Sequence, residues 1–269
     1  MSIALSALRA AQRLALVGAF TMLAVSTHAP ARADEAPSIA AAADLRFALA
    51  EVAELFRNQT GHSVKLVFGS SGNFFTQLEH GAPFEVYLSA DEAYVKQLAA
   101  RGLTRDEGTL YAVGRIVIFA PTGSPLEVDG NLAGLAVALN EGRIERFAIA
   151  NPEHAPYGRA AREALLALGL WHNIEQSLVL GENASQAAQF AASGSAQGGI
   201  VPLSLVLRPE VADRGTWALL PESLHAPLRQ RMVLLKHAGA VADKFYYFVQ
   251  EPAARAILQR YGFVLPATN

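Results

Sequence analysis

Two short apolar runs in this chain end in small residues and then open a helix. The first is Ser38-Ile39-Ala40-Ala41-Ala42-Ala43-Asp44-Leu45; the second is Val64-Lys65-Leu66-Val67-Phe68-Gly69-Ser70-Ser71-Gly72-Asn73. The first turn of a helix leaves N–H groups without acceptors, and its end carries roughly half a positive charge. Two such ends facing each other form an anion site. In the second run glycines let a ligand approach the backbone closely, and serine hydroxyls add donors; Ser71 fits equally well as an ordinary cap of its own helix. In the first run the alanines either clear space for a ligand or pack helix against sheet, and Asp44 is a natural cap. A third stretch, Asn151-Pro152-Glu153-His154-Ala155-Pro156-Tyr157-Gly158, also runs from strand to helix. It either offers a ligand the hydroxyl or N–H of Tyr157, or forms a plain turn, with His154 on the surface.

The elements that must position these residues alternate between strand and helix. Ser38–Ala42, Val64–Phe68, Phe84–Ser89, Arg115–Ala120, Phe147–Ala150, Leu178–Leu180, Gly198–Val201 and Met232–Lys236 read as strands. Leu45–Thr60 places Leu45, Leu49, Val52, Ala53 and Phe56 on one helical face, and Gly61 closes it. Further helices are expected over Asn73–His80, Ala93–Ala100, Tyr157–Leu168, Ala184–Ala192, Val241–Val249 and Pro252–Tyr261. The aromatics Phe74, Phe75, Phe245, Tyr246, Tyr247 and Phe248 are expected in the core. Alternation of this kind predicts an α/β fold with mainly parallel sheets. Ligands of such folds bind beyond the carboxyl ends of strands, where the helices begin.

Composition narrows the possible functions. Residues 1–33 read as a cleaved export signal, with Arg9 and Arg13 before the apolar Leu14–Val25 core and Ala31-Arg32-Ala33 at the cleavage site. The predicted location is therefore the periplasm. The chain has 0 Cys, which excludes disulfides, thiolate metal sites and cysteine nucleophiles. Of 22 basic and 24 acidic residues, the signal removes three arginines and no acid, so the mature chain is acidic and has no nucleic-acid footprint. No Gly-x-Ser-x-Gly elbow, Gly-x-Gly-x-x-Gly fingerprint or phosphate loop is present. A catalytic role is not expected, and a secreted hydrolase would need a nucleophile–base pair that the sequence does not show.

With these residues in view, the mature chain resembles the periplasmic molybdate-binding proteins of ABC importers, the ModA family. The resemblance runs through Ala41-Ala42-Ala43-Asp44-Leu45, Phe68-Gly69-Ser70-Ser71-Gly72 and Gly81-Ala82-Pro83-Phe84-Glu85-Val86-Tyr87-Leu88-Ser89-Ala90-Asp91. It continues through Pro152-Glu153-His154-Ala155-Pro156-Tyr157-Gly158, Gly199-Ile200-Val201 and Arg260-Tyr261-Gly262-Phe263. It implies a two-lobed, type II periplasmic binding protein fold, with one lobe from 34–116 plus about 226–269 and the other from about 117–225. It also implies a monomer without a cofactor that closes on molybdate or tungstate through hydrogen bonds alone and delivers it to a membrane permease. The ligand-binding positions carry over to Asp44, Ser71, Tyr157 and Ala184; no free metal cation is implied.

Two positions depart from the family pattern. Pro202 stands where a tyrosine commonly follows Gly-Ile-Val, and proline has no N–H to offer; the Tyr157 hydroxyl is the expected replacement. Asp44 stands where the family often has serine. A carboxylate beside a dianion is repulsive by roughly 4 kcal/mol at 4 Å with an effective dielectric near 20. Three arrangements relieve this: Asp44 turns away to cap its helix, the favoured expectation; it is protonated; or it accepts a proton from a hydrogen-bearing oxyanion. A further alternative is a different ligand altogether, a metal cation held by Asp44 with Tyr157 or Glu153 through oxygen.

Overall fold

The computed structural model describes residues 36–267, so the export-signal reading of residues 1–33 lies outside the described residues. Ten strands follow in order: β1 Ser38–Ala42, β2 Lys65–Gly69, β3 Val86–Ser89, β4 Thr109–Gly114, β5 Ile116–Pro121, β6 Phe147–Ala150, β7 Leu178–Gly181, β8 Gly198–Pro202, β9 Gly215–Leu219 and β10 Leu228–Leu234. The helices are α1 Arg46–Thr60, α2 Ser71–Glu79, α3 Glu92–Ala100, α4 Ala133–Asn140, α5 Pro156–Ala167, α6 Trp171–Ile174, α7 Ala184–Ala192, α8 Leu203–Val206, α9 Pro209–Ala212, α10 Ala240–Phe248 and α11 Pro252–Arg260. A 3-10 turn, Ala43–Leu45, joins β1 to α1. Among the described residues no helix is long and apolar enough to cross a membrane.

The strands form two five-stranded sheets, ordered β2-β1-β3-β10-β4 and β7-β6-β8-β5-β9. The fold is thus two-lobed α/β, as expected. In each sheet one strand is reversed against its neighbours: β10 in the first and β5 in the second. These are the strands by which the chain enters each sheet from the other, β4 running through Arg115 into β5 and β9 leading back to β10. A direct crossing of this kind reverses strand direction, whereas the βαβ units β1–α1–β2 and β6–α5–β7 keep it. The sheets are therefore mixed, with the parallel strands gathered at β2-β1-β3 and β7-β6-β8.

Both sheets are covered on both faces, so successive strand residues enter different cores. Ile39 and Ala41 face a core with Leu49, Val52, Phe56 and Phe245, while Ala40 faces one with Phe74, Tyr87 and Leu98. In the second sheet Ile116 and Ile118 face one core and Val117 and Phe119 the other. Phe56 meets Phe245 and Phe248 edge-on, each with ring centroids 5.3 Å apart. Tyr247 corrects its predicted place in the core: it is 64% exposed, because α10 turns that face to solvent. Strands β4 and β9 and helix α4 were not expected, and β10 starts four residues before the expected Met232.

Candidate functional site

Four chain segments open their helices around one small cavity between the sheets, with a volume of about 10 Å³. Its lining includes Ala43 and Asp44 from the turn after β1, Ser70 and Ser71 at the start of α2, Tyr157 in the first turn of α5, and Ala184 at the start of α7. Asp44, Ser71, Tyr157 and Ala184, the four residues carried over by resemblance, therefore meet at one place. Two come from segments flanking the first sheet and two from segments flanking the second.

Each opening presents donors. Ser71, Tyr157 and Ala184 occupy the first two positions of α2, α5 and α7, so their N–H groups have no acceptor within their own helices. Ser71 is 1% exposed, and its hydroxyl oxygen accepts the Ala90 N–H at 3.0 Å. An oxygen held that way keeps its own proton free to donate. The Ser71 carbonyl is fixed in turn by the Tyr87 hydroxyl at 2.7 Å. Asn183 caps α7, its side chain accepting the Gln186 N–H at 3.1 Å, and so sets the direction in which Ala184 points. Asn183→Ala is expected to lower stability by about 1 kcal/mol, measured by urea unfolding.

Asp44 corrects the expectation that it caps its helix: neither the 3-10 turn nor α1 has a side-chain cap. The carboxyl group reaches sideways instead. Its Oδ2 accepts the Tyr157 hydroxyl at 2.9 Å and the Gln230 amide at 2.7 Å, while Oδ1 is buried with no partner. Gln230 on β10 also donates to the Tyr157 oxygen at 3.0 Å and accepts the Tyr111 hydroxyl at 2.7 Å, which fixes its amide orientation. Burial raises the Asp44 carboxyl to about 6, and the hydrogen bonds from Gln230 and Tyr157, with weaker contributions from the Asp44 and Leu45 backbone N–H groups, only partly oppose this. Burial, and then the Asp44 charge, push the Tyr157 hydroxyl well above its ordinary value.

The same bond corrects the role expected of the Tyr157 hydroxyl. Its single proton goes to Asp44, so it does not replace the donor missing at Pro202. Close packing makes this reach possible: a Cβ on Gly114 would stand 2.1 Å from the Tyr157 oxygen. Pro202 ends β8 away from the cavity lining, and Ser204 just beyond it donates to the Asp44 carbonyl at 2.8 Å. Glu153 is exposed and does not line the cavity, and among the described residues no group of three or more His, Cys, Asp or Glu could hold a metal.

The two halves of the site are latched together. The His154 carbonyl accepts the Ser70 hydroxyl at 2.5 Å and the Gly72 N–H at 2.9 Å. Ser185 on α7 donates to the Ala43 carbonyl at 2.8 Å, Asn73 donates to Glu182 at 2.6 Å, and Arg159 pairs with Asp91. His154, expected on the surface, lies in this seam. Gln230, Tyr111, Ser70 and Ser204 were not singled out from sequence. Gln230, flanked by Arg229 and Arg231, carries no local signal of its burial, although it is 0% exposed in the fold.

Fold and site together define a two-lobed solute-binding protein with its ligand cleft between the sheets. Residues 37–264 match the family of bacterial extracellular solute-binding proteins. The molybdate-binding protein ModA of Rhodobacter capsulatus is 39% identical over 87% of this chain and 90% of its own length, and that of Azotobacter vinelandii is 34% identical over 84% and 89%. The solved structure of the Azotobacter vinelandii periplasmic molybdate-binding protein covers 86% of this chain and 100% of its own, with a TM-score of 0.78 and 30% identity. The chain belongs to the ModA family of bacterial extracellular solute-binding proteins.

Proposed function

We propose that this protein captures molybdate, or tungstate of the same shape and charge, outside the cytoplasm and delivers it to the membrane permease of an ABC importer. The observation that carries the reading is the convergence of three first-turn N–H groups and the Ser71 hydroxyl on one small cavity. Such a cavity offers a compact anion several aligned donors and the positive ends of helices without any counter-cation. The names of the relatives supply the particular oxyanion.

In this reading Ser71, Tyr157 and Ala184 donate to the oxyanion, Tyr157 through its N–H, and Asp44 stands beside it. The lobes are 34–116 with about 226–269, and about 117–225, and the protein works as an exported monomer. Binding stabilises the arrangement in which the seam at His154 is formed, and the permease recognises that arrangement. The function is capture and release, with no reaction step.

Calorimetric titration with molybdate, tungstate, sulfate, phosphate, ferric and calcium ions tests the assignment. Molybdate and tungstate are expected to bind tightly in the presence of a chelator. Tight binding of a cation alone would overturn it. Ser71→Ala is expected to weaken molybdate binding by about 1.5–3 kcal/mol, the worth of a hydrogen bond to a charged group, and to lower the stability of the ligand-free protein by about 1–3 kcal/mol, because the buried Ala90 N–H loses its acceptor.

A further inference from the structure

The Asp44 carboxyl group is only half used. One oxygen takes two donors, from Tyr157 and Gln230, and the other is buried, unpartnered and part of a residue that lines the cavity. Resting on the oxyanion reading above, we propose that the site holds its ligand together with one proton, placed between Asp44 Oδ1 and a ligand oxygen, so that capture of a proton-free oxyanion takes up one proton from solvent.

The geometry decides where the proton sits. Oδ2 already accepts two hydrogen bonds from donors whose orientation is fixed, so the acidic proton belongs on Oδ1. A carboxylate there would leave two oxygens, both negative, facing each other without a hydrogen. A carboxylic acid there turns the repulsion into an O–H···O⁻ bond, among the stronger hydrogen bonds. The balance is simple: the ionised site, the dianion and one proton give a complex with one shared proton, and no other bond forms or breaks. A hydrogen-bearing oxyanion would bring the same proton itself.

Nothing nearby neutralises Asp44 in another way. Among the described residues it makes no ion pair. Helices α7 and α8, which pack on its turn, contain no charged residue, and β2 contains only the exposed Lys65 at its far end. On α1, Arg46 is exposed in a neighbouring groove, Glu51 pairs with Arg260 and Glu54 with Arg57. From α5 and β4 the facing titratable groups are Tyr157 and Tyr111, both pushed further toward their neutral forms. His154 lies beyond Ser70, 3.9 Å from Glu182. Burial, partly opposed by the hydrogen bonds, already lifts the carboxyl to about 6 in the free site, and a dianion beside it lifts it further.

The test is calorimetric titration of molybdate between about pH 5.5 and 8.5, each point in two buffers of different ionisation enthalpy, so that proton uptake is read directly. Expected for the natural protein is uptake approaching one proton per molybdate at the alkaline end, with affinity falling about tenfold per pH unit there, the linkage slope for one proton. Phosphate, which carries its own proton at about pH 8, is expected to show no such uptake. In Asp44→Asn the amide donates permanently, so molybdate binding should lose its pH dependence and become tighter than wild type at pH 8, while phosphate binding weakens. Molybdate binding without proton uptake and with flat affinity in the natural protein would overturn this proposal and leave the molybdate assignment standing. Failure of every oxyanion to bind at any pH would overturn both. The proton count on the natural protein decides the matter even if the variant fails to fold.

Discussion

Gly72→Val is expected to weaken molybdate binding by about a hundredfold while leaving the ligand-free protein folded and nearly as stable as before. Gly72 is the second residue of α2, adjacent to Ser71, and its N–H donates to the His154 carbonyl across the seam. A Cβ at this position would stand 2.6 Å from that carbonyl oxygen, 2.8 Å from the Tyr94 hydroxyl and 3.0 Å from the His154 Cα. The nearest obstacle is backbone belonging to the other half of the site, so a side-chain rotation cannot relieve it. The two halves must separate, and the added methyls of valine enlarge the separation. Overpacking of this kind costs about 1–3 kcal/mol, and its upper end corresponds to about a hundredfold in affinity. Most of the cost falls on the closed arrangement, because the Tyr94 hydroxyl is the end of a side chain that can turn aside whereas the His154 backbone cannot. Calorimetry gives the affinity, and small-angle scattering of the liganded variant should show a larger radius of gyration than wild type. A variant that binds and compacts like wild type would show that the seam at His154 is not part of capture.

How much of this was legible in the sequence follows from the range of each interaction. Ser71 and Tyr157 were legible because their position is local: each opens a helix directly after a strand or turn; Ala184 entered only through the family resemblance, and the fold brings all three to one cavity. The favoured role for Asp44 failed because a capping preference is also local, and here it lost to partners far along the chain. Gln230 lies 186 residues away and Tyr157 113. Both β10, which carries Gln230, and β4, which carries Tyr111, owe their place to the crossing of the chain between the sheets. Leu228-Arg229-Gln230-Arg231 has the polarity of an exposed segment, and only pairing with β4 makes its first residues strand. The reversed direction of β5 and β10 was hidden for the same reason: strand–helix alternation reports the βαβ units and says nothing of a strand that passes straight from one sheet to the next.

The buried carboxyl also ties stability to pH without any ligand. In the unfolded chain Asp44 titrates near 3.9; in the fold burial raises it to about 6. Between these values the native state binds more protons than the unfolded state, so this group makes stability fall as pH rises from about 4 to 6. Above about 6 the penalty is complete, and two pH units at 1.36 kcal/mol each amount to roughly 3 kcal/mol. Asp44→Asn keeps an oxygen for Tyr157 and Gln230 and has no charge to bury. Relative to wild type it is therefore expected to gain stability progressively between pH 4 and 7, by up to roughly 3 kcal/mol at the upper end, with the contributions of other titrating groups cancelling in the difference. Urea unfolding of both proteins at several pH values, free of oxyanions, measures the gap. A gap that stays constant with pH would mean that Asp44 is charged at no free-energy cost in the folded protein, and a gap that closes as pH rises would reverse the sign derived from its burial. A natural protein that accepts this cost at neutral pH keeps an acid in its cleft that becomes neutral where a second negative charge must enter.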